Sequence, residues 1–461
     1  MGFLSFLTKN KFSKFVNICY LLISTTMFFL TLISIFSLNL MDGKEYCYVI
    51  GGWQKAIGIE LKYNLHHASA VLFLWLTMMI FTATIVNEKI NYAIRGFVYI
   101  MLCGANGIIL TNDVFNSYVF FEIICVTSYI IYSYGNRTTN FKSVYNYIIL
   151  SSFVGVCILL IISLLYQITG NLNIDLMHKI LHKTHNNKSV NICFILFVSV
   201  MILKLGTYPF HGILIEIYDN ISVKYLIPVT GITSISYMYF VIKFITKLFG
   251  SDVLLINEYF NIILKILGSI GYIFFNLLAL TANNVKSFIV LLSFSQTCLL
   301  TFCIPYLQSV QVVNGIIYSV MSNTAIKVCL FSILLKIQKS LSSKNEITKM
   351  NINNFLNIPY RYLLIFLLIF MAGLPFSLVF MSKWCLLSGI FNVYSNIYWF
   401  MIITIGLTID TIACLFFIKN ILSKNNNNIS INIDYTLVFI ILFALTILMI
   451  VPCFIGKFNI F

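Results

Sequence analysis

The chain has 461 residues, is 60% hydrophobic and 9% charged, and carries 29 Lys+Arg against 14 Asp+Glu, a formal net charge of +15. Its mean hydropathy of +0.95 excludes a soluble globular protein, which could not hide so much apolar surface. The basic residues are scattered over short loops and form no stripe, which excludes a nucleic-acid partner and fits the positive-inside bias of a membrane protein.

A spanning helix needs roughly 20 apolar residues, and about 13 transmembrane helices are expected. They run over 15–38, 66–86, 96–112, 114–134, 143–168, 190–214, 225–249, 259–283, 285–304, 310–336, 358–394, 397–419 and 434–455. The expected fold class is an all-α polytopic membrane protein with no separate soluble domain. The first apolar run follows Lys9, Lys11 and Lys14 and ends in no small-residue cleavage site, so it reads as a span, not a signal peptide. The longest polar stretches are 41–65, 169–190, 337–357 and 420–433. Loop Lys and Arg number about 16 on the N-terminal side and about 9 on the other. That bias puts the N-terminus in the cytoplasm and the C-terminus outside. The 12 cysteines show no CxxC or Cys/His pattern, so no disulfide and no metal site are expected. His178, His182 and His185 have helical spacing in a polar loop, and a solvated amphipathic turn is favoured over a metal site.

The span 358–394 is too long for one straight helix and is expected to be broken. Two prolines mark breaks: Pro209 shortly after Lys204, and Pro375 between Gly373 and Lys383. Proline removes a backbone donor, and broken backbone at membrane depth is tolerated only when buried or lining a wet cavity. Two such interruptions in corresponding places point to a transport site in an inverted-repeat fold. The expected organisation is N-terminal helices and a GGW loop in 1–95, five-helix repeats of opposite topology in 96–249 and 259–419, and a C-terminal helix in 420–461. Each repeat contains one broken, lysine-bearing helix.

Single charges inside apolar segments carry the chemistry. Such a group costs roughly 3 kcal/mol or more at bilayer depth, so it faces a bundle interior and marks an ion or proton path. Glu122 sits mid-span between Phe121 and Ile123. Burial favours its neutral form and a nearby lysine its charged form, so the carboxyl can switch; the bland reading is a structural ion pair. Lys204 is its expected partner, because a buried lysine gives up its proton readily. Lys327 and Lys383 lie within later apolar segments. Accessory candidates are His211, expected either to titrate near neutrality or to serve as a cap or structural histidine, Lys286, which also reads as an interfacial anchor, Asp410 at mid-span, expected to pair with a lysine of the same half or to face another subunit, and Asn323. Asn106, Asn276, Gln296, Ser293 and Ser295 are polar span positions that could carry water or serve as interhelical glue.

These segments resemble one family. GGWQKAIGIEL (51–61) is similar to the GGW-x-x-x-x-GIEL turn of the Mrp D subunit. NDVFNSYVFFEI (112–123) resembles D-L-F-N-x-Y-V-F-x-E, and TGNLNI (169–174) resembles TG-T-L-N. LKLGTYPFHG (203–212) resembles K-x-x-x-x-PFH-x-W, VKSFIVLLSFSQ (285–296) resembles DIKR-x-x-AYSSISQ, and NTAIKVCLF (323–331) resembles HALFKA-x-LF. AGLPFSLVFMSKWCLL (372–387) is similar to GLPP-x-x-G-F-x-SK-x-x-L. The chain thus resembles the antiporter-like proton-translocating subunits shared by complex I, membrane-bound hydrogenases and Mrp cation/proton antiporters, closest to the Mrp D subunit. The resemblance implies that Glu122 is the essential glutamate, Lys204 its paired lysine, Lys327 an intermediate and Lys383 the terminal carrier. The chain also departs from the pattern. Ile213–Ile215 replace a WLP-type motif, Asn284 an acid, and Asn323 a common histidine; the family's first helix has no counterpart. In the stretch GITSISYMY (231–239), aligned with G-x-x-x-K-x-G-x-Y, Ile235 replaces the second central lysine.

The function expected from the resemblance is proton translocation through a buried Glu/Lys relay, in a chain like the Mrp D subunit within a multisubunit monovalent cation (Na+)/proton antiporter. The alternatives are the proton-pumping membrane subunit of an NADH-quinone oxidoreductase or hydrogenase-type complex, and a degenerate structural subunit. The chain is not expected to be catalytic alone and holds no cofactor of its own. Its expected partners are other membrane subunits of such an assembly, the lipid bilayer, protons and Na+. Its expected location is the bacterial inner (plasma) membrane, ahead of the mitochondrial inner membrane.

Overall fold

A computed structural model describes residues 46–50, 61–65, 92–135, 141–183, 188–250, 257–282, 284–340, 358–375, 377–394 and 397–422, with Thr26, Ile33 and Val253. Thr26 and Ile33 apart, the expected spans 15–38, 66–86 and 434–455 lie outside the described residues, as do His185 and residues 51–60 of the GGW stretch.

The all-α expectation needs one correction. Strands β1 (Tyr46–Ile50) and β2 (Leu61–Leu65) pair antiparallel, with Tyr46 opposite Leu65 and Ile50 opposite Leu61. YCYVI is rich in the aromatic and β-branched residues that fit a pleated surface, whereas LKYNL offers only Tyr63 of that kind. The rest of the described chain is helical: α1 (Tyr92–Leu110), α2 (Val114–Gly135), α3 (Lys142–Thr169), α4 (Ile174–Lys183), α5 (Lys188–Leu205), α6 (Gly212–Asn220) and α7 (Val223–Lys243), which runs on as a π-helical turn (Phe244–Phe249). Then come α8 (Glu258–Thr281), α9 (Val285–Cys303) with a 3-10 end (Ile304–Tyr306), α10 (Val310–Ser340), α11 (Ile358–Ala372), α12 (Leu378–Tyr394) and α13 (Ile397–Leu422).

Among the described residues, nine helices are long and apolar enough to cross a membrane: α1, α2, α3, α5, α7 with its π turn, α8, α9 with its 3-10 end, α10 and α13. The chain is an integral membrane protein. Hydroxyl groups within these helices bond back to their own backbone, as Thr127 Oγ1 does to Ile123 O (2.7 Å), Ser295 Oγ to Leu292 O (2.8 Å) and Thr324 Oγ1 to Val320 O (2.8 Å). That habit removes the cost of carrying a hydroxyl where water is scarce.

The two expected helix breaks differ in detail. The segment 358–394 divides into α11 and α12 at Gly373, whose φ of 99° suits glycine alone. The segment 190–214 ends earlier than expected, at Leu205. The cause is Gly206 rather than Pro209: its φ is 64°, and a Cβ there would meet Leu214 and Phe294. Lys204 therefore lies in the last turn of α5, not inside a continuing helix.

By Cα proximity the described residues form two compact units, one of those up to Leu205 with those in Gly231–Ile262, the other of those in Gly206–Thr230 with those from Ile263 onward. In the first unit α1 packs on α2, and α3 on α5. Its core is aromatic: Phe197 stacks on Phe244 at 4.9 Å, and Phe240 lies 4.3 Å from Phe244. In the second unit α10 packs on α12, α11 on α13, and Phe288 stacks on Phe417 at 4.3 Å.

The α10–α12 pair meets through reciprocal glycines. A Cβ at Gly315 would lie 2.9 Å from Leu386 Cδ2 and 3.0 Å from its backbone N, and one at Gly389 would lie 2.6 Å from Val312 Cγ2. Small residues let membrane helices approach closely where lipid offers no hydrophobic drive. Gly315→Val should lower stability by about 1–3 kcal/mol through overpacking, whereas Gly212→Ala, with nothing within 4 Å of the new Cβ, should change little. Thermal unfolding of both variants in detergent checks the contrast.

Candidate functional site

In the first unit the site begins with the cap of α2. Asp113 Oδ1 accepts the Asn116 backbone N–H at 2.7 Å, satisfying a donor that the helix start leaves open. Burial pushes this carboxyl up to about 6, against the pull of the Asn116 and Phe115 amides. The cap and the bridge from Asp113 to Asn173 fix the start of the helix that carries Glu122. Glu122, Cys125 and Tyr129 stand at i, i+3 and i+7 and so share one face of α2. Glu122 is half-buried, and its Oε1 is fully enclosed without a hydrogen-bond partner among the described residues.

Lys204 is 2% exposed at the end of α5. Its ammonium donates to Ser151 Oγ. It stands 4.9 Å from the Tyr147 ring centre, 5.2 Å from Tyr237, 5.5 Å from Phe121 and 5.8 Å from Tyr129, distances at which ring faces attract a cation. Among the described residues no ion pair joins Lys204 to Glu122, although each lies within electrostatic reach of the other. What connects them is α3. Tyr147, Ser151 and Gly155 fall at i, i+4 and i+8, a single stripe. Tyr147 faces the ammonium and Ser151 accepts from it. Gly155 leaves room for the carboxylate, since a Cβ there would overlap Glu122 Oε1.

The second unit holds a hydrogen-bonded polar chain from Lys383 to Asn323. Lys383 on α12 pairs with Asp410 Oδ2 on α13 at 2.9 Å, with side-chain exposures of 13% and 4%. The same ammonium donates to Ala372 O at 3.1 Å, a carbonyl freed where α11 stops before Gly373. Gln296 Nε2 on α9 donates to Asp410 Oδ2 at 3.4 Å, and Asn323 Nδ2 on α10 donates to Gln296 Oε1 at 3.3 Å. Lys327 is 5% exposed one turn beyond Asn323, at i+4 on the same face of α10. It has no hydrogen bond or ion pair among the described residues. Lys327, Asn323, Gln296, Asp410 and Lys383 thus follow one another across four helices.

The accessory candidates divide. Asp410 and Asn323 join this chain. Lys286 at the start of α9 donates to Asp219 O (2.7 Å) and Ile221 O (2.5 Å), capping the carbonyl end of α6. His211 precedes α6 inside an aromatic nest, 4.9 Å from Phe275 and 6.0 Å from Tyr208, and its buried Nδ1 has no hydrogen-bond partner among the described residues. His178 Nδ1 lies 3.3 Å from Leu248 O, against the π turn of α7.

Sequence reasoning missed several groups. Lys243, 5% exposed, donates to Ile108 O (3.0 Å) and Thr111 O, closing the carbonyl end of α1. Ser151 and Gly155 carry no charge, and only their i, i+4 spacing with Tyr147 could have marked them. The buried Lys383–Asp410 pair makes a thermodynamic prediction. Asp410→Leu leaves an uncompensated ammonium and should cost about 3–5 kcal/mol, while adding Lys383→Met should recover most of it. Thermal unfolding of the single and double variants in one detergent reads this directly.

Known proteins resemble the chain in sequence and in fold. The D subunit of the Na(+)/H(+) antiporter of Alkalihalophilus pseudofirmus is 29% identical over 176 residues, which are 35% of this chain and 34% of that relative. The matched stretch is therefore about a third of that relative's length. Among solved structures, the Mrp complex from Dietzia sp. DQ12-45-1b matches with a TM-score of 0.74 and 16% identity, over 89% of this chain and 74% of that one. The membrane-bound sulfane sulfur reductase, an archaeal respiratory membrane complex, matches with a TM-score of 0.80 and 19% identity, over 98% of this chain and 91% of that one. At these identities the structures show a shared fold. The family model described as NADH:quinone oxidoreductase/Mrp antiporter, transmembrane region, matches residues 111–409, from the cap of α2 to the residue before Asp410, and the chain belongs to that family.

Proposed function

We propose that this chain is a membrane subunit that translocates protons through buried Glu and Lys side chains, as the counterpart of the Mrp D subunit in a multisubunit Na+/proton antiporter of the bacterial inner membrane. The observation that carries this reading is the Glu122–Gly155–Ser151–Lys204 arrangement. A buried carboxylate oxygen and a buried ammonium face one stripe of α3 without being bonded to each other. An acid and a base that are close but unbonded can exchange a proton by a lysine swing. Protons enter one half-channel, pass between lysines and waters, and leave by the other. Glu122 and Lys204 form the gate, Lys327 is an intermediate and Lys383 the exit-side carrier. In the same reading 96–249 and 259–419 are inverted half-channels, supported by the helix breaks at Gly206 and Gly373. The N-terminus is cytoplasmic and the C-terminus outside.

A second reading is a redox-driven pump subunit. It is supported by the family's inclusion of NADH:quinone oxidoreductase and by the TM-score of 0.80 to an archaeal respiratory complex. Partners decide between the two. Mass spectrometry of a mild-detergent purification should find small multi-span subunits without redox centres; flavin or iron–sulfur subunits would favour the pump. For the gate, Glu122→Gln, Lys204→Ala and Gly155→Ala should each reduce proton flux in inverted vesicles at least tenfold with the complex still assembled. Wild-type flux in the first two would sink the relay, and assembled wild-type protein with no flux would leave a structural subunit.

A further inference from the structure

Lys204 needs an onward route, and the expected one is missing. Ile235 is 1% exposed on α7, an apolar side chain where the pattern G-x-x-x-K-x-G-x-Y has lysine. The same stretch departs a second time: Tyr237 stands where that pattern has glycine. The two changes lie two residues apart on one helix, and the second adds a titratable hydroxyl beside the gate. Tyr237 is 4% exposed. Its ring lies 5.2 Å from the Lys204 ammonium and 5.2 Å from the Phe121 ring. Its hydroxyl lies 3.6 Å from Cys125 Sγ, and among the described residues it has no other hydrogen-bond partner. Cys125 sits one helical turn from both Phe121 and Tyr129, whose rings stand 5.5 and 5.8 Å from the Lys204 ammonium. Cys125 is therefore placed between the lysine on α5 and the tyrosine on α7, on the α2 face that carries Glu122.

We propose that Cys125 and Tyr237 replace the absent lysine as the proton path from Lys204 onto α7, an inference that rests on the transport reading above. A thiol and a phenol can each accept a proton while releasing their own. In the step, one Lys204 N–H bond breaks and the sulfur takes that proton. The thiol's own proton moves to the Tyr237 oxygen, and the hydroxyl proton leaves to a water molecule. Lys204 ends as a neutral amine, S–H and O–H are re-formed, the water is protonated, and nothing is oxidised. The weak grip of a thiol on a buried hydroxyl serves this role, because a phenol pinned to a backbone carbonyl would have to break a stronger bond to pass a proton.

The test is proton flux of the assembled complex in inverted vesicles, with assembly measured by native gel. Tyr237→Phe keeps the ring over Lys204 and removes only the hydroxyl. It should lose at least tenfold in flux at unchanged assembly, as should Cys125→Ala, while Cys125→Ser stays close to wild type. Adding Ile235→Lys to Tyr237→Phe should restore flux by supplying the missing station. Wild-type flux in Tyr237→Phe, a loss that tracks lower assembly, or failure of Ile235→Lys to restore flux overturns the proposal and leaves the Glu122–Lys204 reading standing. Absence of flux in the wild-type complex overturns both.

Discussion

The cost of enclosing an ammonium group away from water governs how this chain is built. An unpaired buried charge is too expensive to persist, yet Lys204, Lys243, Lys327 and Lys383 are all largely enclosed. One recurrent solution uses helix ends. The last carbonyls of a helix have no intrahelical donor and carry the negative end of its dipole. Lys243 takes those of α1, Lys286 those of α6, and Lys383 those of α11. Each such lysine satisfies a helix end and is itself satisfied, so it ties elements together. Lys204 and Lys327 take no helix end. One is held by a hydroxyl and four ring faces, and the other has no hydrogen bond among the described residues. The way an ammonium is held thus separates Lys243 and Lys286, which close helix ends, from Lys383, which closes one and also pairs with an acid, and from Lys204 and Lys327, which close none.

The same criterion distinguishes the chemistry of the two units. In one, acid and base are kept apart by a stripe of small side chains on α3. In the other, Lys383 is bonded both to a helix end and to Asp410, and the acid reaches back through two amides. A side-chain amide both donates and accepts, so Gln296 and Asn323 transmit polarity without adding charge. Asn323, where related patterns have histidine, keeps the hydrogen-bonding function and gives up the titration. Charge is therefore concentrated at the two ends of this chain, on Lys327 and the Lys383–Asp410 pair.

Much of this was legible in the sequence because it is local. Apolar run length located the spans between α1 and α13, and glycine and proline located both breaks. The first break ended one helix sooner than proline alone predicts, because a left-handed glycine acts before the proline does. The hairpin of β1 and β2 was not legible, since the ten residues between Ile50 and Leu61 are more than the roughly two to five of a common hairpin loop. Pairings were the least legible. Glu122 and Lys204 attract attention as opposite charges but form no ion pair among the described residues, whereas Asp410 does pair with a lysine of its own half, Lys383. The residues deciding that difference are Gly155 and Ser151, whose contribution is the size of a side chain, and size at one position has meaning only once its neighbours are known.

The aromatic cage explains how such a site can be both stable and mobile. A carboxylate partner would hold an ammonium at one point and at short range. Ring faces attract it over a broad surface, each by roughly 0.5–2 kcal/mol, so sideways displacement exchanges one ring for another with little net loss. Four rings and one hydroxyl can therefore carry Lys204 without fixing it at one point, and Glu122 Oε1, enclosed beside Gly155 with no hydrogen bond among the described residues, is the nearby acceptor. Moving the ammonium to the carboxylate changes the charge that faces α7. In the proposed gate, that change couples the position of one side chain to the protonation of the next.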